Sequence, residues 1–223
     1  MIPTVKLAEA ITPDGAKLAL YEHDGNYCIR VGQEELMHSC LGDSELLLGE
    51  LATKELVSHA HPKVLIGGLG LGFTLSSVLK TLGPDATVQV VELMPAVVDW
   101  NRSFLSELNG TLLNDSRVEV IIADVWDVIA SAGPSVFDAV MLDIDNGPQG
   151  IVQEQNDRLY HHDGLKRLAT IIKPGGRVAI WSAWLDHGFV QRLTDAGFMV
   201  QIIPAKLHAR AKRCAYTIFL ADK

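Results

Sequence analysis

Positive charge is scarce in this chain: 19 lysines and arginines stand against 27 aspartates and glutamates in 223 residues, a formal net charge of -8. That deficit argues against broad binding to nucleic acid or to an anionic membrane, both of which reward a cationic surface. A cationic small molecule suits it better. Cysteine is also sparse, and Cys28, Cys40 and Cys214 form no C-x-x-C pair and no metal-ligand spacing. A reducing, cytoplasmic setting is the expectation. No apolar run approaches the roughly 18 residues of a membrane span, and the opening MIPTVKLAEA lacks the basic start and apolar stretch of a secretory signal. Low-complexity segments and internal repeats are missing too. What remains, 48% hydrophobic and 21% charged, is the composition of a globular protein with one full core and at most a small appendage.

From Val64 onward, VLIGG, TVQVVE, VEVIIAD, FDAVMLD and RVAIW are near-continuous apolar runs, as expected of parallel strands buried on both faces. Helical stretches separate them, over 74–82, 95–108, 125–132 and 158–172. The second opens on Pro95 and carries Val97, Trp100, Phe104, Leu105 and Leu108 at helical spacing. Alternating β and α units predict a doubly wound sheet. After a helix around 187–196, FMVQIIP and AYTIFLA follow with no helix between them, which predicts a closing antiparallel hairpin. The first residues differ: VKLAEAI, AKLALYE and NYCIRV are separated by the turn signals PDG and HDGN. The expected organisation is a small antiparallel sheet over 1–42 and an α/β domain over 43–223. A helix is expected from Asp43 or Ser44 to about His59, since an Asp or Ser cap followed by early acids complements the helix dipole.

The stretch VLIGGLGLGF places Gly68, Gly70 and Gly72 between the first parallel strand and its helix. Glycines there let the backbone turn sharply and approach a ligand, at the carboxyl edge where α/β sheets bind. The spacing is G-x-G-x-G. A dinucleotide fingerprint needs G-x-G-x-x-G, and no Walker lysine is present, so the pattern fits a nucleoside with no pyrophosphate. Glu92 ends the second strand about twenty residues on, where a carboxylate accepts ribose hydroxyls. Asp124 ends the third, placed to take the exocyclic amine of an adenine while Val125 and Trp126 cover the ring. Singly, each acid reads equally as a solvated strand end. Together with the glycine turn they point to an adenosine ligand.

With its closing hairpin, the pattern resembles the S-adenosylmethionine-dependent transferases of the Rossmann-like methyltransferase fold, a mostly parallel seven-stranded sheet. Within them it resembles the spermidine synthases: the double glycine Gly67–Gly68, VVELMP, VEVIIADVWDVI, FDAVMLDIDNGPQG and the entry segment DGNYCIRVGQEELMHS are each similar to segments of that family. The resemblance implies S-adenosylmethionine or its decarboxylated form as cofactor, an amine as the small-molecule substrate, and a homodimer. It also implies Asp143 as the group that orients the amine and takes its proton, with Asp145 as the second acid of the loop. Departures accompany it. The second loop acid comes one place early, with Asn146 in its usual position. Leu69 and Leu71 stand where the family's glycine loop carries an aspartate, and Cys28 and Met37 fall on polar family positions. Three readings follow: alkyl transfer, most simply methylation; aminopropyl transfer to a diamine; and a noncatalytic adenosine-ligand sensor.

Other residues carry weaker signals. His161 and His162 are adjacent, and adjacent helical residues point about 100° apart, which disfavours a shared metal. His38 is either a crevice group or a surface turn histidine. KLHARAKR, from Lys206 to Arg213, reads as the solvated link of the last hairpin. Trp181 and Trp184 read equally as core or as a wall for a cation.

Overall fold

The turn signals of the first forty residues close a four-stranded antiparallel sheet, in a computed structural model that describes residues 3–144, 157–208 and 210–223. Its strands are β1 (Val5–Ile11), β2 (Lys17–His23), β3 (Asn26–Val31) and β4 (Glu34–His38), paired in that order. Asp24 and Gly25 both take positive φ, 51° and 74°, the geometry that matches a tight hairpin turn to strand twist. Leu18, Leu20 and Ile29 turn inward and join one core with Leu48, Val64, Ile66 and Leu75. Strand β4 adds to the three strands read from sequence, since EELMH shows no clean alternation.

A second sheet follows α1 (Asp43–Thr53). Its strands are β5 (Lys63–Gly67), β6 (Thr87–Glu92), β7 (Val118–Ile122), β8 (Phe137–Leu142), β9 (Ile172–Ser182), β10 (Met199–Lys206) and β11 (Cys214–Asp222). They lie in the order β10-β11-β9-β8-β5-β6-β7. Strands β5 to β9 pair in parallel, and β11 enters antiparallel between β9 and β10 as the predicted hairpin. The helices are α2 (Phe73–Thr81), α3 (Pro95–Ser103), α4 (Ser106–Asn109), α5 (Val125–Ser131), α6 (Asp157–Tyr160), α7 (His162–Ile171) and α8 (His187–Asp195). Both faces of the central strands are covered. Along β5, Val64 and Ile66 pack with Leu48, Leu75 and Val78, whereas Leu65 packs on the opposite face with Leu165, Leu168 and Phe189. That explains the unbroken apolar run.

Three expectations are corrected. The helix read over 95–108 breaks: the N–H groups of Phe104 and Leu105 both reach the Trp100 carbonyl, at 2.9 and 3.1 Å, and α4 restarts at Ser106. The helix read over 158–172 divides at His161, which takes an extended backbone, and ends where Ile172 opens β9. Strand β7 is not covered on both faces; it is the sheet edge, and Ile122 is 53% exposed. Among the described residues no helix is long and apolar enough to cross a membrane.

The sheet reverses its winding between β5 and β8. From β5 the chain moves outward through β6 to β7, then returns to β8 on the other side. Loops leaving neighbouring strands there run in opposite directions and open a crevice beyond the carboxyl ends.

Candidate functional site

The glycine turn occupies that reversal. Gly68 has φ +89, and a Cβ on it would lie 2.2 Å from the backbone oxygen of Asp143, at the end of β8. Only glycine lets the two strand ends come so close. On Gly70, at φ +51, a Cβ would lie 2.6 Å from the Met37 sulfur. Gly72 opens α2 in the left-handed conformation and lies outside the cavity walls. Two asparagines fix the loop from behind. Buried Asn101 donates to the Gly70 carbonyl at 2.9 Å, and Asn109 donates to the Leu71 carbonyl at 3.2 Å and to Asn101 Oδ1 at 2.6 Å. The break between α3 and α4 carries Asn109 to that position, which the periodicity of the segment did not reveal.

Beside the turn lies a cavity walled by Gly68, Gly70, Glu92, Asp124, Val125 and Asp143, with apolar Val91, Leu93, Met94, Ala123 and Ile144. Glu92 is 8% exposed and accepts from Leu69 N–H at 2.9 Å and Met94 N–H at 2.8 Å, one on each carboxylate oxygen. Burial pushes its carboxyl up, while these amides and those of Gly70 and Leu93 oppose the shift. Glu92 is an acceptor-only group in the cavity wall, where hydroxyl donors of a ligand could reach it. Asp124 caps α5, accepting from Trp126 N–H at 2.8 Å. Its other oxygen is bonded to Arg158 at 2.5 Å, whose guanidinium lies 5.5 Å from the Trp126 ring centre. Asp124 therefore serves as a helix cap and an ion-pair partner as well as a wall. Thr12 and Asp14, from the first hairpin turn, also reach this cavity.

A second cavity shares Leu36, Met37, Gly70, Asp143 and Ile144 with the first. Its remaining wall brings Glu35, His38 and Leu41 from the end of the small sheet, Glu45 from α1, Leu69, Leu71 and Phe73 from the glycine turn, Trp181 from β9 and Tyr216 from β11. The Trp181 and Tyr216 rings meet at 4.6 Å between centres. Asp143 accepts from the Thr74 hydroxyl at 2.7 Å, and the same hydroxyl lies 3.3 Å from the Glu45 backbone oxygen. Burial raises the Asp143 carboxyl, with the Thr74 bond opposing. Burial raises Glu45 too, and the charge of Asp143 adds to it. Asp143 thus lies where the cavities join.

Other sequence candidates fall elsewhere. Asp145 lies outside the described residues. His161 and His162 are exposed and pair with Asp157 and Asp163, and no metal cluster occurs among the described residues. His38 reaches the second cavity, with Nδ1 accepting from Cys40 N–H at 3.1 Å. Cys28 is buried beside Glu35 and lines neither cavity. Trp184 is half exposed, while Lys206, Arg210, Lys212 and Arg213 are exposed on the final hairpin. Glu45, Thr74 and Tyr216 also belong to this site, and sequence alone does not mark them as such. Glu45 carried only a helix-start signal, and no local pattern marks Tyr216.

The family described as "Spermine/spermidine synthase domain" matches residues 44–199. A polyamine aminopropyltransferase of Aeropyrum pernix is 31% identical over 137 residues, 59% of this chain and 41% of that protein. Putrescine N-methyltransferase 2 of Nicotiana attenuata is 29% identical over 133 residues, 59% of this chain and 34% of the relative. The chain thus matches less than half the length of these relatives. A crystal structure of a spermidine synthase in complex with the transition-state analogue AdoDATO superposes with a TM-score of 0.74 at 16% identity, covering 98% of this chain and 72% of that one. At that identity the likeness concerns the fold.

Proposed function

The chain belongs to the spermine/spermidine synthase domain family, and from that premise we propose that it transfers an alkyl group from an adenosyl sulfonium donor to an amine nitrogen of a polyamine-type acceptor. The observation that carries this reading is that Asp143 lines both cavities at once. Donor and acceptor in adjoining cavities would meet at that carboxylate.

The first cavity suits the donor. Glu92 holds the ribose hydroxyls, Asp124 and Val125 border the adenine, and Gly68 and Gly70 admit the chain near the sulfonium. The second suits an amine, with acids and two packed aromatic rings. The neutral nitrogen attacks the carbon beside sulfur as the C–S bond breaks. That electron pair stays on sulfur, leaving a thioether, and the proton of the new ammonium passes to Asp143. A carboxyl raised by burial is a stronger base than an exposed one, and holding the two reactants in line supplies much of the rate.

Between the two donors, charge favours the decarboxylated one and hence aminopropyl transfer. No lysine or arginine lines either cavity among the described residues, and residues 145–156 contain none in sequence. Arg158 is tied to Asp124, and the Leu69 amide is tied to Glu92. A donor carboxylate would meet Asp143 and Glu45 with no cation beside them. Putrescine N-methyltransferases among the relatives keep methyl transfer as the second reading. Incubation with each donor and putrescine, followed by mass spectrometry, tests both: a mass gain of one aminopropyl group is expected. A methyl gain would replace that reading, and no product with either donor would overturn the transferase reading.

A further inference from the structure

We propose that Glu45 is a positioning residue of the second cavity: its carboxyl and that of Asp143 share one proton while the cavity is empty and release it when a cationic amine enters. This rests on the amine-acceptor reading above. Glu45 comes from the first turn of α1 and Asp143 from the end of β8, and both line the same cavity. Thr74 ties them, one bond to the Asp143 carboxylate and a longer contact to the Glu45 backbone.

Among the described residues no lysine or arginine lines this cavity. From α1 come Asp43, which raises Glu45 further, and Ser44, whose hydroxyl donates to the Glu45 carboxylate. The small sheet contributes Glu35 and His38, α2 contributes Thr74 and Phe73, and β9 and β11 contribute Trp181 and Tyr216. The Tyr216 hydroxyl, in the same cavity wall, is itself raised by burial and by the Glu45 charge. Two buried carboxylates in one cavity, with no lysine or arginine beside them among the described residues, cannot both ionise cheaply, so they titrate as a pair. An arriving ammonium group supplies the missing charge, and the shared proton leaves to solvent. The cavity then prefers a diamine that carries one cationic nitrogen, which Glu45 holds, while the other nitrogen faces Asp143 and is neutral when it attacks. The apolar Leu69 and Leu71 of the glycine turn supply no such anchor, so α1 supplies it.

The test is calorimetric titration with putrescine in protein saturated with 5′-methylthioadenosine, near pH 7, in two buffers of different ionisation enthalpy. Wild type is expected to release about half a proton per amine bound, because Glu45 is pushed up to about 7 and Asp143 to about 6. Glu45→Gln should bind putrescine about tenfold more weakly, roughly 1.4 kcal/mol, and release far fewer protons, with 5′-methylthioadenosine affinity unchanged. Glu45→Asp, which keeps a shorter carboxyl, should restore part of the release and serves if the first variant folds poorly. Wild-type affinity and proton release in Glu45→Gln would overturn this inference alone. Failure of wild type to bind putrescine would overturn the amine reading and this inference with it.

Discussion

The two cavities that meet at Asp143 are built by opposite means. The first is mostly backbone and strand ends: a glycine turn after β5, then acids at or just beyond the ends of β6, β7 and β8. Its positions follow from the β-α rhythm alone, because a parallel sheet delivers every strand's carboxyl end to one edge. The second is assembled from side chains of β4, α1, the glycine turn, β9 and β11. Nothing repeats among them. The walls of the proposed donor cavity can therefore be read from spacing, whereas those of the proposed acceptor cavity become visible only when distant segments are packed together.

The sharpest break between the cavities should come from Asp143→Asn. Losing a positioned general base costs roughly 100- to 10,000-fold in turnover, while affinity for 5′-methylthioadenosine should change little. Equal loss of both would mean that Asp143 holds the donor rather than the nucleophile. Gly68→Ala comes next and strikes the first cavity. Its Cβ would meet the Asp143 backbone oxygen at 2.2 Å in a left-handed conformation, so a loss on the order of 1–3 kcal/mol in stability is expected, with weakened nucleoside binding. A melting temperature and an affinity equal to wild type would remove the need for close approach at that turn.

A smaller effect concerns pH. Burial raises Glu45 and Asp143 in the folded state, so unfolding releases their protons at ordinary carboxylate pH. The stabilisation from holding those protons is complete below the unfolded values and is lost as pH rises through the folded ones. Ligand-free protein should melt lower at pH 8 than at pH 6 on this account. Glu45→Gln should be more stable than wild type at pH 8 and nearly equal to it at pH 5. Parallel melting curves for the two proteins across that range would contradict the paired carboxyls. The smallest effect belongs to Arg158→Ala. The pair with Asp124 is partly exposed, where such pairs contribute about 0–1 kcal/mol, so nucleoside affinity should fall by severalfold at most. A larger fall would make Arg158 a direct ligand contact.

Much of the frame was legible in sequence, and the exceptions have physical causes. VLIGG, TVQVVE and FDAVMLD read as strands because burial on both faces removes polar residues from them. The same reasoning over-read VEVIIAD, since an edge strand can keep an apolar composition and still expose Ile122. Phe104 and Leu105 preserve helical spacing across a break in the helix, because hydrophobic period records which side faces the core and not whether the hydrogen bonds continue. Asp124 could be placed at its strand end, but its bond to Arg158 joins residues 34 apart. Glu45 was hidden by its own local sense: an acid in a first helical turn already has a reason to be there.

The central claim is that an acid-lined crevice at the β5–β8 reversal binds an adenosyl sulfonium and favours the donor without a carboxylate. Calorimetric titration of the purified protein with S-adenosylmethionine and with its decarboxylated form, at matched pH and salt, tests it most directly. The account predicts that the decarboxylated form binds at least about tenfold more tightly, a difference of about 1.4 kcal/mol. Tighter binding of S-adenosylmethionine would contradict the charge argument and return the site to methyl transfer, and binding of neither would contradict the adenosyl site itself.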